Sequence, residues 1–190
     1  ELIWSVKTQK SLLRSQKKQS LILKNDKAYF SNSIGDVTAV NISNGKIIWQ
    51  TPTQSNVSFG KTYFLKLSDI VSDNESIFVS NNNNQFFSID LLTGSINWKQ
   101  DLSSELRPAL IDDYLVTISD KGLLIIMNKE TGQIIRVNDL FKKIKKKRKK
   151  NYQPTGFLVS KFYIYLSTNN GRILVVNFKE GKIEKMLKLD

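Results

Sequence analysis

A nine-residue pattern recurs four times along the chain and restricts the fold more than any other feature. Asn41-Ile42-Ser43-Asn44-Gly45-Lys46-Ile47-Ile48-Trp49 aligns with Asp90-Leu91-Leu92-Thr93-Gly94-Ser95-Ile96-Asn97-Trp98 on the glycine. Residues 128–136 around Gly132 and 177–185 around Gly181 complete the set. Every copy has Asn or Asp four residues before the glycine and Ile two after it. The glycines stand 49, 38 and 49 residues apart, a period that matches one four-stranded propeller blade with loops of varying length.

Each unit reads as four strands. The strand before the glycine is strongly apolar, at 37–42, 86–91, 123–127 and 173–176. A second strand precedes it at 27–31, 76–80, 114–119 and 162–167. Hairpin turns at 35–36, 81–84, 121–122 and 170–171 separate the two. A weaker first strand falls near 21–23, 64–67, 109–111 and 156–159, and a fourth begins just past each glycine. No segment longer than a turn reads as a helix. The expected fold is therefore an all-β propeller of four-stranded antiparallel blades. The blades lie approximately at 11–53, 54–103, 104–141 and 152–190, with a basic inter-blade loop at 142–151. A length of 190 residues, 40% of them hydrophobic, suits a single domain or a fragment of one.

Two local features support blades over a β-sandwich, which would leave the repeat unaccounted for. The run Leu123-Leu124-Ile125-Ile126-Met127 is apolar on both faces, as expected where a sheet is covered on both sides. The repeat glycine supplies the positive φ that an Asn/Thr/Glu-Gly turn needs. Ile and Trp, two and four residues beyond it, should share one face of the outer strand. Trp49 and Trp98 are then expected to be buried between neighbouring blades. Arg136 and Lys185 replace Trp in the last two copies, so those junctions should be more polar.

Composition narrows the chemistry. Cysteine and histidine are both absent. That removes disulfides, thiolate chemistry, cysteine-built zinc sites and every nucleophile–histidine arrangement, leaving carboxylates, Lys and Tyr. No apolar run reaches the roughly 18 residues of a membrane-spanning helix. Glu1-Leu2-Ile3-Trp4 reads as the interior of a folded protein and not as a signal peptide. Asp73, Asp112 and Asp113 sit at turns, where they are read as turn formers. No catalytic, cofactor-binding or metal-ligating residue stands out.

The pattern Ala39-Val40-Asn41 through Gly45-Lys46-Ile47-Ile48-Trp49, repeated at 88–98, resembles the pyrroloquinoline-quinone (PQQ) repeat. That repeat builds eight-bladed propellers in two groups. One comprises quinoprotein alcohol and sugar dehydrogenases. The other includes BamB, a lipoprotein subunit of the machine that inserts β-barrels into the bacterial outer membrane. The dehydrogenase resemblance would imply vicinal cysteines beside the quinone and a Glu/Asn/Asp cluster around calcium, and neither is found. Bound PQQ is not expected. The BamB resemblance implies a non-enzymatic interaction scaffold, periplasmic and associated with the outer membrane, whose partner belongs to the β-barrel assembly machinery. The alternatives are a fragment of a quinoprotein dehydrogenase, or a sensor or ligand-binding propeller of a larger receptor.

BamB-type proteins carry a Leu-Arg element that contacts the barrel-inserting subunit. Ser11-Leu12-Leu13-Arg14-Ser15 matches it in part, with Gln16-Lys17-Lys18 where the family has Gly and Pro. Leu12, Leu13 and Arg14 are accordingly candidates for partner contact; the bland reading is an inter-blade linker. Residues 2–7 read as an orphan outer strand, since the last unit already has its own at 183–189. The chain is then expected to be about half of an eight-bladed ring, or to pair with a second copy that closes it.

Net charge is +12, unevenly placed. Lys142, Lys143, Lys145, Lys146, Lys147, Arg148, Lys149 and Lys150 fill eight of nine positions. Without them 21 basic residues face 17 acidic ones, or +4. The run reads either as a disordered, solvated insertion or as a contact for acidic lipid headgroups or phosphates. Phe141 and Tyr152 only flank it, so the interleaved exposed aromatics of nucleic-acid surfaces are missing, and no nucleic-acid partner is expected.

Overall fold

A computed structural model describes residues 2–8, 20–32, 34–54 and 65–189. Among the described residues sixteen strands form four separate four-stranded antiparallel sheets, each ordered as the chain runs. Sheet 1 holds β1 (Leu21–Lys24), β2 (Lys27–Ser31), β3 (Val37–Asn41) and β4 (Ile47–Thr51). Sheet 2 holds β5 (Val71–Ser72), β6 (Ser76–Asn81), β7 (Gln85–Asp90) and β8 (Ile96–Gln100). Sheet 3 holds β9 (Ala109–Ile111), β10 (Tyr114–Ile118), β11 (Leu123–Asn128) and β12 (Ile134–Asp139). Sheet 4 holds β13 (Pro154–Val159), β14 (Tyr163–Thr168), β15 (Arg172–Asn177) and β16 (Ile183–Lys188). Among the described residues the only helix is one turn, α1 (Lys146–Lys149).

The chain divides into two compact units, Glu1–Ser103 and Ser104–Asp190. In the first, Tyr29, Val37, Ala39 and Trp49 of sheet 1 pack with Ile77, Val79, Phe87 and Ile89 of sheet 2. In the second, Val116, Ile118, Leu124 and Ile126 of sheet 3 pack with Ile164, Leu166, Leu174 and Val176 of sheet 4. Strands β3, β7 and β11 are buried on both faces, as their continuous hydrophobicity requires. Strand β15 departs from this, since only alternate residues, Leu174 and Val176, are fully buried.

The repeat glycine closes the same turn four times. Gly45, Gly94, Gly132 and Gly181 have φ of 70°, 77°, 70° and 66°. Each donates its N–H to the carbonyl of the Asn or Asp four residues before it, at 2.8–3.0 Å. The side chain of that Asn or Asp then accepts backbone N–H groups inside the turn: Ser43 on Asn41, Leu92 and Thr93 on Asp90, Thr131 on Asn128, Glu180 on Asn177. The invariant polar position of the pattern is thus a local clamp on the loop.

Two strand features differ from expectation. The first strand of sheet 2, placed at 64–67 by pattern, lies instead at Val71–Ser72, with Leu67 bridging Asn81. Ser68 pairs with Ser80 through backbone and hydroxyl, and one extra residue before Val71 bulges the strand, which breaks its alternation. Every outer strand also carries a register shift just after the glycine turn, opposite Ala39/Val40, Ser88/Ile89, Ile126/Met127 and Val175/Val176. The bulge resets the pleat, so Ile47 is exposed while Trp49 is buried, and the two do not share a face as simple alternation predicts.

Candidate interaction surface

Within each unit, one sheet plugs a side chain into the glycine turn of the next. Trp49 lies against Gly94 so closely that a Cβ there would come within 2.6 Å of the indole. Its Nε1 donates to the Leu91 carbonyl at 3.3 Å, and Tyr29 Oη donates to the same oxygen at 3.4 Å. Leu91 stands three residues before the glycine. In the second unit the matching carbonyl, that of Phe178, accepts from Arg136 Nη1 at 2.9 Å, while the Asn138 amide covers Gly181. Arg136 therefore makes the hydrogen bond that Trp makes elsewhere, and Asn138 fills the space the indole would occupy. This junction is more polar, as the replacement of Trp implies.

The N-terminal segment obeys the same rule without belonging to a sheet. Residues 2–8, expected as an orphan outer strand, pair with no strand among the described residues, yet Trp4 covers Gly45 and its Nε1 donates to the Ile42 carbonyl at 2.6 Å. Trp98 is half-buried and packs on Phe78 and Phe86 of its own sheet, both with centroids at 6.0 Å.

The basic run is folded. Phe141 is buried over Gly122 and meets Tyr152, with ring centroids 5.8 Å apart, so both ends of the link are fastened. Ile144, the one apolar interruption, packs against the core of the second unit. Asp139 accepts the Phe141 N–H at 2.8 Å and pairs with Lys149 at 3.0 Å. Successive turn hydrogen bonds, from Lys142 N to Asp139 O through Tyr152 N to Lys149 O, lead through α1 into β13. This corrects the reading as a disordered insertion. The inward Phe, Ile and Tyr supply the burial that a lysine run alone lacks. Lys142, Lys143, Lys145, Lys146, Lys147, Arg148 and Lys150 remain exposed.

The other candidate contact residues, Leu12, Leu13 and Arg14, lie outside the described residues. Asp73 and Asp112 sit at strand connections; Asp73 Oδ1 accepts the Glu75 and Ser76 N–H groups, and Asp112 has positive φ. Among the described residues, no three His, Cys, Asp or Glu side chains cluster as metal ligands would. No helix among them is long and apolar enough to cross a membrane.

Four-stranded sheets of this order, repeated and plugged turn to strand, define a β-propeller of PQQ-type repeats. Solved structures agree on the fold. The BamB of Moraxella catarrhalis superposes with a TM-score of 0.54 at 15% identity, over 90% of this chain and 63% of that one. The quinohemoprotein alcohol dehydrogenase of Comamonas testosteroni gives 0.70 at 12% identity, over 89% of this chain and 34% of that one. The Swd1 β-propeller domain of Myceliophteria thermophila gives 0.69 at 10%, over 94% and 57%. The profile of the family described as outer membrane protein assembly factor BamB matches residues 1–138, and the chain belongs to that family. A curated relative, the BamB of Legionella pneumophila, is 26% identical over 156 residues, which is 80% of this chain. The chain spans only 35% of that relative's length.

Proposed function

We propose that the protein is a non-enzymatic interaction scaffold of the bacterial cell envelope that works in the periplasm at the outer membrane and assists assembly of β-barrel proteins there. The match of residues 1–138 to the BamB family carries this reading. The chemistry of the chain supports it. Without Cys or His there is no ready nucleophile–base pair, and the Asp73 carboxylate is occupied in a turn. In each unit the strand connections are the variable parts, and such connections commonly carry partner contacts. Leu12, Leu13 and Arg14 are the proposed contact with a barrel-inserting subunit, apolar anchors beside one cation.

The test is surface binding to a purified barrel-inserting subunit at low and high salt. The double variant L13A/R14A is expected to lose at least about tenfold in affinity, roughly 1.4 kcal/mol, at both. Wild-type binding by the variant removes these residues from the contact; no binding by the wild type removes the partner. A second reading, part of a quinoprotein dehydrogenase, is favoured by the likeness to the Comamonas enzyme. Quinone absorbance retained through gel filtration after incubation with PQQ and calcium would establish it in place of the scaffold.

A further inference from the structure

We propose that the fastened basic link between β12 and β13 docks the protein on an anionic phospholipid surface. This goes beyond the scaffold reading and does not depend on the identity of a protein partner.

The first observation is that the cations have no inward option. Phe141, Ile144 and Tyr152 hold the link at both ends and in the middle, which turns the remaining positions outward. Among the described residues only Lys149 of the eight is ion-paired, to Asp139. Seven cations stay exposed on one short connection.

The second observation is the direction of the charge. The link lies at the strand end that carries the β10–β11 and β14–β15 turns: Leu140 N donates to Gly122 O, and Gln153 N donates to Asn169 Oδ1. At the opposite end of the same unit, Asp112, Asp113, Glu130 and Glu180 are matched by as many lysines, at 129, 161, 179 and 182. The second unit is therefore polarised along its strands, with a balanced end and a strongly cationic one. Such a field orients a molecule toward a negative plane as well as attracting it.

The residue types choose among negative partners. Seven of the eight cations are Lys, a compact charge without the bidentate geometry that Arg brings to a defined carboxylate or phosphate. The two aromatics beside the run are turned into the fold, so no stacking platform faces outward for bases. Several geometrically undemanding ammonium groups on a projecting turn fit an array of lipid phosphates.

The experiment is sedimentation of the full chain with phosphatidylcholine vesicles prepared with and without phosphatidylglycerol. Binding is expected only with phosphatidylglycerol, and should weaken as salt rises. At roughly fivefold per near-surface cation, K142Q/K146Q/K150Q should bind about a hundredfold less. The charge-matched variant K161Q/K179Q/K182Q, altered at the balanced end, should bind as wild type. Thermal melts by circular dichroism should leave both folded. No binding to the anionic vesicles, or equal loss by the two variants, overturns the proposal. Tighter binding to polyuridylate RNA or to polyglutamate than to vesicles at the same salt also overturns it, and assigns the link to that class of partner.

Discussion

Sheets 2 and 4 share their register residue for residue. Phe78 faces Ser88 across β6–β7 just as Tyr165 faces Val175 across β14–β15, and Trp98 and Lys185 complete the two rows. On one face the sheets agree: Ile77, Val79, Phe87 and Ile89 are buried, and so are Ile164, Leu166, Leu174 and Val176. On the other they part. Phe78 is 0% exposed and Tyr165 is 41% exposed, with Phe86 buried and Ile173 half-buried. The repeat therefore dictates strand order, turn and one packing face. The second face is aromatic in sheet 2, with Phe78, Phe86 and Trp98, and mixed in sheet 4, with Tyr165, Ile173 and Lys185.

The sharpest way to break this comparison is truncation at the matched pair. Phe78→Ala should destabilise by about 3–5 kcal/mol, the range for a buried aromatic, and Tyr165→Ala by under about 1 kcal/mol. Denaturant unfolding measures both, and equal costs would remove the distinction. Next come the two plugs. Trp49→Ala should cost about 3 kcal/mol, because it leaves a cavity and removes one of the two hydrogen bonds to the Leu91 carbonyl. Arg136→Ala should cost about 1 kcal/mol, since its half-exposed partner can be rehydrated.

The glycines offer a smaller contrast. Gly94 and Gly171 both have positive φ, 77° and 69°. A Cβ at Gly94 would strike the Trp49 ring at 2.6 Å, whereas at Gly171 the nearest atom is 3.8 Å away. Gly171→Ala should cost only the backbone strain, about 1 kcal/mol, and Gly94→Ala more. Thermal melts of the pair check the order.

The smallest effect is acidic. Hydrogen bonds from the Thr93 N–H and hydroxyl, with a further one from the Leu92 N–H, hold the Asp90 carboxyl below its ordinary value. Its stabilisation is present above the unfolded value, near about 3.9, and is lost as pH falls through the lower folded one. Asp90→Asn, which installs the residue of the other three turns, should flatten that part of the stability–pH curve. An unchanged curve would show that the clamp does not depend on charge.

What could be read from sequence tracks what leaves a local signature. The second and third strands, the hairpins and the glycine turns were legible because apolar runs and turn residues mark them directly. The first strand of sheet 2 was not, because its bulge after Ser68 destroys the alternation that would announce it. The bulge in each outer strand was equally hidden, since Ile47-Ile48-Trp49 reads the same with or without an inserted residue. The alternation of buried and half-buried residues in β15 is invisible in the run Ile173-Leu174-Val175-Val176, where every residue is apolar. In the basic link the lysines were obvious, but Phe141, Ile144 and Tyr152 became anchors only once their contacts were seen.

The turn that receives each plug is made of main chain: a carbonyl three residues before a glycine, and the space left by a missing side chain. The plug is a side chain, and it has already changed from Trp49 to Arg136 with Asn138. A mutation in the plug needs no answering mutation in the receptor, because a carbonyl accepts from an indole or a guanidinium alike. Repeats joined in this way can drift apart in sequence without passing through mismatched intermediates. A likeness of 26% to a distant relative is then what such a joint permits.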